Sequence, residues 1–134
     1  MILDGIKVYI VEDNEDNIFI LLTILRESGA SVRVDWWAAG ESRRIVEVLP
    51  VDVIILDLML PRGRSGFSVF DEIRANRELA GVPIVAVSAA DPTIAVPKAR
   101  DQGFAGFISK PVDYDLFPRQ IAAIAKGEQV WYTG

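Results

Sequence analysis

Among its 134 residues the chain has no cysteine and no histidine. The first absence excludes disulfides, thiol nucleophiles and cysteine-held zinc or iron–sulfur centres. The second removes histidine-based triads, histidine-ligated metals and any histidine of this chain that would itself carry a phosphoryl group. Chemistry must then run on carboxylates, hydroxyls and lysines. Positive charge is in short supply too: 14 basic against 19 acidic side chains leave a net −5, with no electrostatic pull toward nucleic acid or an anionic membrane. The N-terminal Met1-Ile2-Leu3-Asp4-Gly5-Ile6-Lys7 lacks a basic segment followed by an apolar one, and no apolar run reaches the length of a membrane span. A cytoplasmic protein is expected, with no membrane insertion and no direct nucleic-acid partner.

About half of the residues, 51%, are hydrophobic, enough to bury a core without staples in a single domain over 1–134, with a core of about 5–126 and a C-terminal tail at 127–134. Near-continuous apolar runs at Ile6–Val11, Val53–Leu56, Ile84–Val87 and Phe104–Ile108 read as strands covered on both faces. Ser31–Trp36 alternates polar and apolar residues, as an edge strand does. Between them, Ile18, Leu21, Leu22 and Leu25 share one helical face, with Asn14 as cap and Gly29 past the end. A second helix is expected over Ala39–Leu49, stopped by Pro50, a third is capped by Ser65, and a last is capped by Asp115. The fourth crossover contains both Pro92 and Pro97, so a short helix starting near Pro97, or a kinked one, is expected. Five strands alternating with helices give a doubly wound α/β fold with a parallel sheet.

In such sheets ligands gather outside the carboxyl ends of the strands. Strand one ends in Glu12-Asp13, the third in Asp57, the fourth in Ser88 and the fifth in Ser109-Lys110-Pro111. Three carboxylates at one edge repel each other unless a cation neutralises them, and a hard, oxygen-only ligand set suits Mg²⁺, with Mn²⁺ as its substitute. A carboxylate beside that metal can attack a phosphoryl group, while a hydroxyl and an ammonium share the charge on its oxygens. The set reads as a phosphoryl-transfer site. Singly, Asp57 would be a turn former, Glu12-Asp13 a solvated pair and Lys110 a surface lysine; their joint arrival at strand ends is what makes them specific.

Val11-Glu12-Asp13-Asn14, Ile55-Leu56-Asp57-Leu58-Met59-Leu60-Pro61, Val87-Ser88-Ala89 and Ser109-Lys110-Pro111 together resemble the motifs of response-regulator receiver domains, over essentially the whole chain. The resemblance implies a flavodoxin-like five-stranded sheet in the order 2-1-3-4-5. It implies that Asp57 is phosphorylated, that Asp13 binds Mg²⁺ directly, that Glu12 supports the metal through water, and that the Met59 backbone carbonyl is a further ligand. Ser88 then matches the switch hydroxyl, Lys110 the lysine that pairs with the phosphoryl group, and Phe107 the aromatic switch position, while Pro111 follows a cis peptide bond. The implied protein is a stand-alone, CheY-like response regulator that takes its phosphoryl group from a sensor histidine kinase or a histidine phosphotransfer protein. It is not a conventional enzyme, and it acts by binding a protein target as a monomer or a phosphorylation-dependent dimer. A carrier in a phosphorelay is the alternative; a metal-dependent phosphohydrolase is disfavoured because the second acid such enzymes use is replaced by Met59.

Other features carry their own expectations. Phe107 divides between core and switch, and without a hydroxyl its movement must be driven by packing alone. Neither Met59 nor Ala90 offers a group to orient an attacking water, so a persistent phospho-form is expected. Trp36-Trp37 and Val130-Trp131-Tyr132 read as core or cap residues, with one or two of them marking a partner surface as the alternative. Arg62 and Arg64 read as solvated, yet near enough in sequence to Asp57 to touch a docking partner, and Gly63-Arg64-Ser65-Gly66 lacks the Gly-Lys-Ser/Thr ending of a nucleotide-cradling loop.

Overall fold

The computed structural model describes residues 1–134. Strands β1 (Lys7–Val11), β2 (Ser31–Asp35), β3 (Val53–Leu56), β4 (Ile84–Ser88), β5 (Gly106–Ser109) and β6 (Val130–Tyr132) alternate with helices α1 (Glu15–Glu27), α2 (Ser42–Val46), α3 (Gly66–Ala75), α4 (Pro92–Gln102) and α5 (Phe117–Ala125). A 3₁₀ turn at Arg77–Leu79 precedes β4. The strands form one all-parallel sheet in the order β2-β1-β3-β4-β5-β6. The five expected strands hold the expected order. The sixth, which lies in the segment expected to be a tail, is an addition.

The burial pattern follows from two-sided coverage. Every residue of β3 and β4 is buried, while β2 exposes Ser31 and Arg33 as an edge strand should. One face packs Tyr9, Val11, Ile54, Leu56 and Phe107 under α2, α3 and α4. The other packs Val8, Ile10, Ile55, Val85 and Ile108 under α1 and α5. No helix is long and apolar enough to cross a membrane.

Several local expectations change. Helix α4 does not start near Pro97: it begins at Pro92, whose missing N–H costs nothing in a first turn, and Asp91 caps it by accepting from the Thr93 N–H at 3.0 Å. Pro97 sits inside, where it removes the N–H that would pair with the Thr93 carbonyl. Thr93 and Pro97 are both exposed, so water takes that carbonyl and the helix runs on to Gln102. Helix α5 starts at Phe117, and its expected cap is displaced to the turn that leads into it. The Asp113 carboxylate accepts from the N–H groups of Asp115 and Leu116 at 3.0 and 2.8 Å, and Asp115 caps nothing. Helix α2 has only five residues instead of the eleven-residue span expected, and Trp36 and Trp37 are 58% and 71% exposed rather than core.

Candidate functional site

Backbone pairing delivers each expected residue to the carboxyl edge. The Asp57 N–H donates to the Val11 carbonyl at 3.1 Å, which seats Asp57 beside Glu12 at the end of the neighbouring strand. The Lys110 N–H donates to the Ser88 carbonyl at 3.0 Å, tying the end of β5 to the end of β4. Ser88 is fully buried, and its Oγ accepts from the Ala90 N–H at 3.2 Å. The peptide bond between Lys110 and Pro111 is cis. These bonds are properties of the sheet, so the apolar strands fix which polar side chains meet.

Glu12, Asp13 and Asp57 each bring a carboxylate oxygen to within 4.8 Å of the others'. Glu12 and Asp57 are buried and Asp13 is exposed, so the cluster opens to solvent on the Asp13 side. The Lys110 ammonium bridges the two buried acids: it donates to Glu12 and, at 3.2 Å, to Asp57 Oδ2. Asp57 Oδ1 accepts from the Met59 N–H at 3.2 Å, and Glu12 Oε2 accepts from the N–H groups of Asp13 and Asn14 at 3.1 and 3.2 Å. Burial pushes the Glu12 carboxyl above the ordinary glutamate range; its hydrogen bond from Lys110 pulls it back, and the Asp57 charge raises it again. One ammonium serves two acids while a third stands open. That excess of negative charge on oxygen donors fits a hard divalent cation such as Mg²⁺.

The remaining expected positions are placed as follows. Met59 directs its N–H at Asp57 and leaves its side chain 61% exposed. Phe107 is completely buried, in the same core as Leu56, Ala86 and Phe104. Arg62 is exposed, as expected, and Arg64 is half-buried, but both side chains are held by hydrogen bonds. Arg62 donates to the Trp37 carbonyl at 3.1 Å, while Arg64 donates to the Ala39 carbonyl and pairs with Glu72 at 2.8 Å. Together they lash the loop after Asp57 to the loop after β2.

Sequence reasoning passed over Gly66. It opens α3 with its N–H donating to the Leu58 carbonyl at 3.0 Å, and a Cβ there would lie 2.3 Å from the Asp57 carbonyl oxygen and 2.6 Å from the Leu58 Cα. Only glycine lets α3 start this close to the acidic residue's own backbone. The signal was available as Ser65-Gly66, a cap followed by a residue with no side chain, nine positions after Asp57.

Comparison with known proteins agrees with this arrangement. The family model described as the response regulator receiver domain matches residues 8–122. Protein PilH of Pseudomonas aeruginosa is 23% identical over 121 residues, covering 90% of this chain and 98% of PilH. The transcriptional regulatory protein PdtaR of Mycobacterium tuberculosis is 30% identical over 125 residues, 92% of this chain but 59% of PdtaR. Among solved structures, the receiver domain of the sensor histidine kinase PA1611 from Pseudomonas aeruginosa PAO1, with a magnesium ion coordinated in its active-site cleft, superposes with a TM-score of 0.76 at 28% identity over 92% of this chain and 99% of that one. A CheY-like receiver domain protein from Methanospirillum hungatei JF-1 shares the fold, with a TM-score of 0.77 at 20% identity over 91% and 94% of the two chains. The match runs from β1 into α5 and takes in all four strand ends that build the acidic site, and on that ground the chain belongs to the response regulator receiver domain family.

Proposed function

We propose that this receiver is a cytoplasmic phosphorylation switch in which Asp57 is the phosphoacceptor. The observation that carries the reading is the bridge of Lys110 to Asp57 and Glu12, beside an exposed Asp13, at the edge where the strands end. A phosphohistidine on a sensor histidine kinase or a histidine phosphotransfer protein donates. A carboxylate oxygen of Asp57 forms the new P–O bond in line as the P–N bond to the histidine breaks, and the imidazole leaves with the electron pair. Lys110 stays within reach of the phosphoryl oxygens, and Ser88 offers its hydroxyl from the neighbouring strand end.

Asp13 and Asp57 would hold Mg²⁺ directly, Glu12 through water, and the Met59 backbone carbonyl would complete the protein's share. Bound there, the ion supplies neutralisation of the clustered carboxylates and of the charge on the phosphoryl oxygens. The magnesium-bearing PA1611 receiver domain supports this assignment.

Ser88 and Phe107 then bias the surface made by α4, β5 and α5 toward its partner-binding state. Phe107 is already fully buried and has no hydroxyl, so packing alone holds it. In the sheet register it stands opposite Trp131, which makes β6 part of the same surface.

Phosphorylation by acetyl phosphate, read on a phosphate-affinity gel with and without Mg²⁺, tests the reading. The native chain should be modified only with Mg²⁺, and Asp57→Asn not at all; equal modification of the variant, or indifference to Mg²⁺, would sink it. The same gel gives the lifetime. With an exposed Met59 and with Ala90 where a water-orienting side chain would stand, the phospho-form should persist, and decay within seconds in Mg²⁺ would contradict this.

A further inference from the structure

The loop that leaves Asp57 is held from outside. It doubles back as a hairpin: Met59 stands opposite Ser65 in an antiparallel bridge, the Gly66 N–H donates to the Leu58 carbonyl at 3.0 Å, and the Arg64 N–H donates to the Pro61 carbonyl at 3.2 Å. At its tip Arg62 and Gly63 take left-handed backbone, with φ of 60° and 68°, a conformation that a non-glycine residue keeps only when its surroundings hold it. The Met59 N–H is committed to Asp57 Oδ1 at 3.2 Å, whereas the Met59 carbonyl accepts no hydrogen bond from the protein. Its direction is therefore set by the hairpin as a whole.

Two arginines fasten that hairpin to the loop after β2. Arg62 donates to the Trp37 carbonyl at 3.1 Å, and the fork of Arg64 spans the Ala39 carbonyl and, at 2.8 Å, the Glu72 carboxylate on α3. The anchor is itself fixed. Asp35, 6% exposed, accepts from the N–H groups of Trp37 and Gly40 at 3.1 and 2.8 Å, on either side of the Ala38-Ala39 pair. Gly40 is seated against α3, where a Cβ would lie 2.3 Å from Val69 Cγ1. A continuous chain of bonds thus runs from a buried carboxylate of β2, through the Ala39 carbonyl and Arg64, to the hairpin that carries Met59.

We propose that Arg64 is a positioning residue for the metal site: by tying the hairpin to the Ala39 carbonyl, it aims the Met59 carbonyl at the cation between Asp13 and Asp57. The inference rests on the reading of that cluster as an Mg²⁺ site. Positioning and charge predict opposite signs here. A guanidinium on the loop that leaves three clustered carboxylates repels an incoming cation, so its neutralisation favours Mg²⁺ by Coulomb's law, whereas the loss of an outer support for a ligand weakens binding.

Mg²⁺ titration of the ¹⁵N-labelled chain, followed by the amide resonances of Asp13, Asp57, Met59 and Gly40, tests the proposal without any phosphoryl donor. In the native chain all four should move with one midpoint. Gly40 is included because its N–H belongs to the same peptide group as the Ala39 carbonyl, so it reads the Arg64 hydrogen bond directly. Arg64→Gln, too short to span both acceptors, should bind Mg²⁺ about tenfold more weakly, the low end for losing the outer support of a metal ligand. Glu72→Gln, which removes an exposed ion pair and leaves the Ala39 hydrogen bond, should stay within about twofold of the native chain. Amide spectra of the free variants that match the native one outside residues 37–40 and 58–66 show that the fold is kept. A Gly40 amide that ignores Mg²⁺ in the native chain, an Arg64→Gln affinity equal to or tighter than native, or an equal loss in Glu72→Gln would each overturn the positioning role and leave the Mg²⁺ site standing. Asp13, Asp57 and Met59 amides that do not respond in the native chain would overturn the site itself, and this proposal with it.

Discussion

At one edge of the sheet β6 lies against β5 through the pairs Gly106↔Val130, Phe107↔Trp131 and Ile108↔Tyr132; at the other, β2 has no outer neighbour. Both edges carry tryptophan, with opposite fates. Trp131 is partly buried against the core, with the Arg100 guanidinium 4.6 Å from its ring centroid, whereas Trp36 and Trp37 stand in the open beside a five-residue α2. Aromatic content therefore does not decide which edge closes. What differs is backbone access: a Cβ on Gly106 would sit 2.0 Å from the Val130 carbonyl oxygen, so the absent side chain admits the sixth strand.

The sharpest way to break this comparison is Gly106→Val. The added side chain should expel β6 and make the β5 edge as open as the β2 edge, at a cost of about 3 kcal/mol, in the upper range for overpacking. Urea melts would give the loss, and hydrogen exchange would show protection falling at 130–132 while β1, β3 and β4 keep theirs. A variant that melts with the native chain and still protects Val130 would mean that β6 does not need the glycine.

The open edge has a pH signature of its own. Burial, and after it the Asp35 charge, push the Tyr9 phenol from its ordinary value near 10 up to about 12. Between those values the unfolded chain releases this proton and the folded chain keeps it, so the unfolded state binds fewer protons and stability falls as pH rises. The contribution is complete below pH 10, and about 2–3 kcal/mol is lost by pH 12. Tyr9→Phe has no such proton. Its stability should decline less steeply over that window, and parallel curves for the two proteins would show that the phenol is not held up.

These contrasts also mark where the sequence was readable. Glu12, Asp57 and Lys110 could be placed because each terminates an apolar run, and in a parallel sheet such runs bring their ends to common edges whatever the helices do. Asn14 and Ser65 act locally, each accepting from a backbone N–H two or three residues on, so capping chemistry names them directly. Asp113 was missed in favour of Asp115 because both have the right chemistry and only the chain's path separates them. Pro97 misled because the rule against an interior proline does not know that Thr93 faces water. β6 was missed because a three-residue Val-Trp-Tyr segment shows no period, and its pairing depends on a glycine 24 positions upstream. The anchoring of Arg64 depends on the Ala39 carbonyl 25 positions upstream and on Glu72 in α3, which is a tertiary outcome.

A smaller effect sharpens the contrast between the tryptophans. Trp131→Ala removes a partly buried ring from beside the core and the Arg100 contact with it, and should cost about 1–2 kcal/mol. Native-like stability of that variant would mean that β6 is held by its backbone pairing alone.

The smallest expected effect is at Trp37, whose substitution by alanine should change stability by no more than about 0.5 kcal/mol. Its side chain is 71% exposed, and the contacts it offers the fold run through the backbone: its N–H donates to Asp35 and its carbonyl accepts from Arg62. Both survive truncation at Cβ, so thermal melts of Trp37→Ala and the native chain should nearly superimpose. A loss comparable to that of Trp131→Ala would require the indole to be packed against something, and the β2 edge would then be closed rather than open. If instead the melts coincide, the indole contributes nothing to the fold and the β2 edge is open, in contrast to the edge that β6 closes.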